Sequence, residues 1–109
     1  MIMKGYTDIE QSKRLADILP IESADMSWVP IYDENRMMPG LRLSLLPNSS
    51  HGAVPCWSLT ALLAQMPCVE LVSSQDNKYR VFWKDKFSEW YENAVDACVE
   101  LITRSETEK

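Results

Sequence analysis

From Met37 to Cys68 the chain carries a single formally charged residue, Arg42, whereas the segments on both sides are rich in Lys, Arg, Asp and Glu. A stretch this poor in charge belongs mostly to the interior of a fold, with any remainder forming an apolar contact surface. It is also punctuated by Pro39, Gly40, Pro47, Gly52 and Pro55. Its apolar runs therefore stop well short of the ~18 to 20 residues that cross a bilayer, and no membrane span is expected. The 109 residues suit one domain, whose folding hides roughly two-thirds of the extended surface. A hydrophobic fraction of 46% with 25% charge matches globular rather than disordered composition. One domain over residues 1–109 is expected, with 105–109 as a frayed tail.

The flanks supply the punctuation of regular elements. Thr7-Asp8-Ile9-Glu10 reads as a capping box opening a helix that runs to about Leu19, before Pro20 stops it. Its apolar stripe is expected at Ile9, Ala16 and Leu19, widened by Leu15 and Ile18. Trp28, Val29, Ile31 and Tyr32 favour a strand, and Pro30 within it argues for an edge or bulged one. After turn-type residues, Leu41, Leu43 and Leu45 alternate with Arg42 and Ser44 as a hairpin partner. Residues 47–55 read as a surface loop.

Ser58 caps a short helix, 58–66, that is apolar almost all round and ends at Pro67. Residues 69–72 and 79–84 form the clearest hairpin, and Phe87 to Tyr91 offers a third strand after a turn at Asp85-Lys86. Asn93 caps the last helix, which buries Val95, Cys98, Val99 and Ile102, with Ala94, Ala97 and Leu101 beside them. The order α-β-β-α-β-β-β-α implies an α+β fold, an antiparallel sheet of about five strands with helices mainly on one face.

Three blocks, Leu15-Ala16-Asp17-Ile18-Leu19-Pro20, Cys56-Trp57-Ser58-Leu59-Thr60-Ala61-Leu62-Leu63 and Asn93-Ala94-Val95-Asp96-Ala97-Cys98-Val99-Glu100, resemble blocks of small uncharacterised proteins encoded by phage and mobile elements of gut bacteria. The resemblance covers most of the chain, from Thr7 to Ile102. Such proteins often carry Pro where Ala94 stands, a first helical position that tolerates either residue. The shared positions are caps and core, so the resemblance implies common descent and a setting, and no mechanism.

Chemistry finds little to build on. Cys56, Cys68 and Cys98 are odd in number, lack CxxC spacing and neighbour apolar residues, as reduced cysteines filling a core do. His51, the only histidine, lies in a Ser-rich loop with no nucleophile signature around any cysteine. Paired metal-ligand spacing is absent, and three glycines form no phosphate cradle. No catalytic residue, metal or cofactor is expected. The net charge of -5 disfavours nucleic acid and anionic membranes alike. The first residues run into polar helix-forming sequence rather than the apolar core of a secretory signal, so a cytoplasmic location is expected.

Large rings are the informative excess. Trp28, Trp57, Trp83 and Trp90 are joined by Tyr32, Tyr79, Phe82, Phe87 and Tyr91. Alternation sets Phe82 on the opposite side of its strand from Tyr79, Val81 and Trp83, so a two-sided display follows. The leading expectation is a non-enzymatic interaction or accessory protein, binding a protein partner or itself through Trp28, Tyr32, Met37, Met38, Phe82 and Trp90. The alternative is a ligand pocket between helix 58–66 and the sheet, lined by Trp57, Leu62 and Trp83.

Overall fold

Asp8, one residue later than the capping box expected at Thr7, opens the first helix. Its carboxylate accepts from Gln11 N at 2.8 Å while its own N–H donates to Gln11 Oε1 at 3.1 Å. Thr7 is unavailable because it is fully buried: its N–H donates to Trp57 O at 2.9 Å and its hydroxyl lies 2.7 Å from Ser12 Oγ. The computed structural model describes residues 4–31, 40–45 and 53–107. Helix α1 spans Ile9–Ala16, and its hydrogen bonding carries on into a turn, with Leu19 N donating to Leu15 O at 2.8 Å before Pro20. Leu15 and Ser12 form its buried side, whereas Ala16 is exposed.

After a 3-10 turn at Ile21–Ser23 come strands β1 (Met26–Ile31), β2 (Gly40–Ser44) and β3 (Val54–Cys56). Helix α2 (Leu59–Ala64) follows, then β4 (Glu70–Ser73), β5 (Tyr79–Trp83), β6 (Lys86–Phe87) and helix α3 (Ala94–Thr107). The strands make two antiparallel three-stranded sheets, β2-β1-β3 and β4-β5-β6, and not the single five-stranded sheet expected. Period-2 patterning specifies which hairpin partners pair, but carries no information on whether two hairpins join edge to edge. Here α2 stands between β3 and β4 in the chain, α1 packs on β3, and α3 packs on β5 and α2.

Pro30 misled the assignment of β1. The strand is central, with β2 along Ser27 to Ile31 on one side and β3 on the other. Among the described residues β3 pairs with β1 only as far as Trp28, so Pro30 lies beyond that ladder, which is where a residue without an N–H is tolerated. Strand β3 itself comes from the stretch read as a loop. Pro55 sits within it opposite Ser27, and Cys56 opposite Met26.

Ser58 caps α2 as expected, accepting from Ala61 N at 3.2 Å, and Asp25 holds Ser58 by its N–H at 2.9 Å. The residue after Pro67, Cys68, adopts φ 63 and is exposed, which corrects its expected place in the core. Cys68 lies in the turn that joins α2 to β4, and such connecting segments run over the surface. The β5–β6 turn falls at Lys84 (φ 53) and Asp85 (φ 62), one residue earlier than read, with the two positive φ values of a type I′ hairpin. The third strand is short, but Tyr91 extends the sheet through a bridge to Tyr79. Asn93 caps α3, accepting from Asp96 N at 2.8 Å, and the helix extends to Thr107, into the tail expected at 105–109. Ala94, Val95, Ala97, Cys98, Val99, Leu101 and Ile102 are all buried, as the pattern required. All of them except Ala94 close one core with Leu15, Trp57, Ala61, Leu62, Met66 and Val81.

Candidate functional site

Strand β5 has two unlike faces. Tyr79, Val81 and Trp83 turn toward α3, and Val81 is fully buried. Arg80 and Phe82 turn the other way, onto a face that no helix covers among the described residues. Register places Val72 beside Arg80, and Glu70 and Phe87 on either side of Phe82. Phe82 and Phe87 lie 4.6 Å apart between centroids at 39°. The Arg80 guanidinium sits 3.7 Å above the Phe87 ring and 5.0 Å from that of Trp90.

This layer is partly wet. Phe87 is 48% exposed, Trp90 42% and Val72 36%. The Arg80 side chain forms no ion pair or hydrogen bond among the described residues, and its Nε is shielded from solvent without a partner. An unsatisfied shielded donor costs about 1 to 3 kcal/mol, partly offset by a cation–π contact with two rings of about 0.5 to 2 kcal/mol. Trp90 also differs from the other three tryptophans. The indole N–H groups of Trp28, Trp57 and Trp83 donate to Thr7 O at 3.2 Å, Ser23 Oγ at 2.8 Å and Pro67 O at 3.1 Å, whereas Trp90 donates to nothing among the described residues.

The residues named from sequence are thus dispersed. Phe82 and Trp90 belong to this layer. Trp28 is half-buried on the other sheet, edge-on to Tyr6 with centroids 5.9 Å apart. Tyr32, Met37 and Met38 lie outside the described residues, as does His51. Trp57 and Leu62 are fully buried in the core. Trp83 lines an open hollow of about 190 Å3, but with Lys84, Lys86, Leu101, Arg104 and Ser105 rather than with those two. Arg80 and Phe87 were not singled out as partner residues. Their signal was present, since Arg80 shares the parity of Phe82 on β5.

The thiols are unlike one another. Burial pushes Cys98 up to about 12, and burial also raises Cys56 despite its hydrogen bond with Thr7. Tyr91, whose hydroxyl donates to Glu100 Oε1 at 3.0 Å, is pushed up to about 12 by burial and by that carboxylate. Among the described residues no group of three or more His, Cys, Asp or Glu is arranged to hold a metal ion, and no helix is long and apolar enough to cross a membrane. The chain matches no known protein family, no curated protein and no solved structure.

Proposed function

We propose that this chain is a non-catalytic interaction protein, and that its contact surface is the layer of Arg80, Phe82, Phe87 and Trp90. One observation carries the reading: a cation without an anion is held between rings on a sheet face that the rest of the described fold leaves open. Interface centres are enriched in this combination of Trp and Arg. A protein partner that brings apolar area together with a carboxylate would cover the rings and supply the missing anion. The resemblance to mobile-element proteins fits an accessory protein acting on a host component.

Affinity capture from the native host, run in parallel with wild-type bait and with an Arg80→Ala/Trp90→Ala double variant, tests this. A partner retained by the wild type and lost by a variant of unchanged melting temperature is the expected result. Equal recovery on both baits would remove the proposed surface from consideration.

A further inference from the structure

The outer edge of β4 is a second surface, and its ladder geometry follows from the neighbouring bonds. Ser88 N donates to Val81 O at 2.9 Å, and Tyr79 exchanges bonds with Tyr91 at 2.6 and 2.8 Å. The backbone groups of Tyr79 and Val81 therefore point toward β6. Alternation turns those of Arg80 and Phe82 toward Val72 and Glu70, which leaves Leu71 and Ser73 facing outward from β4. Neither has a backbone partner on that side among the described residues.

Edges are ordinarily blunted by Pro, bulges, several charges or a covering element. Strand β4 has Glu70 as its one charge, no Pro, and exposed Leu71 (44%) and Val72 (36%). Glu70 and Lys78 stand at opposite ends of the same sheet face, and neither meets an opposite charge among the described residues.

We propose that β4 pairs antiparallel with β4 of a second copy about a two-fold axis between the two Val72 residues. The β4-β5-β6 sheets of the two copies then become one sheet of six strands. Leu71 of each copy faces Ser73 of the other, and each such pair exchanges both backbone bonds. Val72 meets Val72. Glu70 comes beside the small Ser74 of the second copy, with that copy's Lys78 next in the same row, so both stranded charges gain a partner twice over by symmetry. Moving the axis to Ser73 would set Glu70 against Asp76 of the second copy, which like charge disfavours. Arg80 leans toward Phe87 and Trp90, away from β4, so the two guanidinium groups do not meet. This interface runs along the backbone edge of β4 and shares Val72 and Glu70 with the face that carries the aromatic layer, but it needs none of Arg80, Phe82, Phe87 or Trp90 and stands whether or not those residues bind a partner.

Sedimentation equilibrium of the full chain over a concentration series tests the proposal. The wild type is expected to show a reversible dimer. Ser73→Pro deletes an outward N–H while sparing the ladder to β5, and Val72→Lys places like charges at the axis. Each is expected to weaken the dimer roughly tenfold or more, with circular dichroism melts confirming the fold. Glu70→Lys should weaken it as well, and Glu70→Lys/Lys78→Glu should restore it. A wild type that stays monomeric into the millimolar range overturns the proposal. So does a dimer that survives both Ser73→Pro and Val72→Lys, or a charge swap that fails to rescue. Loss of the dimer through Trp90→Ala with Ser73→Pro silent would also overturn it, and would move the contact to the aromatic layer.

Discussion

Asp96 shows how much one side chain organises. Its carboxylate accepts from Lys4 Nζ at 2.8 Å, Gln11 Nε2 at 2.7 Å and Asn93 Nδ2 at 2.9 Å, so it fastens the segment before α1, α1 itself and the start of α3. Burial pushes its pKa up, but those hydrogen bonds and the Lys4 charge outweigh burial and hold it below its ordinary value. A carboxyl whose folded pKa is depressed stabilises above its unfolded pKa, and that contribution disappears as pH falls through the folded value. Asp96→Asn should therefore cost about 1 to 3 kcal/mol at neutral pH in urea titrations. The gap from wild type should close as the pH drops below about 4, since protonation then does to the wild type what the substitution did. A gap of constant size across that range would mean that shape, and not charge, is what the site requires. Asp96 was legible as a first-turn acid of α3. Its partners on α1 were not, because a pattern read along one helix carries no record of which other helix abuts it.

At the scale of elements, the β5–β6 hairpin sets the register that brings Phe87 under Arg80. Its turn places two L-residues, Lys84 and Asp85, at positive φ. Left-handed backbone costs an L-residue roughly 1 to 2 kcal/mol relative to the right-handed form, a penalty that glycine does not bear. Asp tolerates the region better than Lys, yet the second central position of a type I′ turn favours Gly. Asp85→Gly should raise stability by about 0.5 to 1 kcal/mol without altering the cation–π layer. Thermal melts measure the gain, and an unchanged Trp emission spectrum reports that Trp90 keeps its setting. A loss of stability would show that Asp85 contributes a contact of its own. Helices α2 and α3 and this hairpin were readable because their signals are local: Ser58 and Asn93 as caps, Pro67 as a stop, Val81 alternating with Arg80 and Phe82. Strand β3 was unreadable for the complementary reason. Val54-Pro55-Cys56 has no period of its own, and it becomes a strand only because β1 offers an edge at Met26 to Trp28.

At the scale of the molecule, the core formed by the described residues is unevenly shared between the two sheets. The buried cluster takes Val81 from β5, six residues of α3 between Val95 and Ile102, and Leu62 and Met66 around α2, while Met26 and Val29 of β1 are buried outside it. The sheet formed by β2, β1 and β3 is instead held through α1 on β3, through Thr7 with Trp57, and through the Trp57 indole on Ser23. An element anchored at its margin opens in smaller excursions than one whose residues make the core. Backbone amides of β2 should accordingly exchange hydrogen through partial opening, and those of β5 and α3 only through global unfolding. Leu62→Ala removes a fully buried side chain from the shared core, which should lower global stability by about 2 to 5 kcal/mol. Native-state hydrogen exchange should then show the full loss in β5 and α3 and a much smaller one in β2, because the contacts of Leu62 persist in the partly opened state. Equal losses in both sheets would establish one cooperative unit, with the Trp57 joint as strong as the core itself.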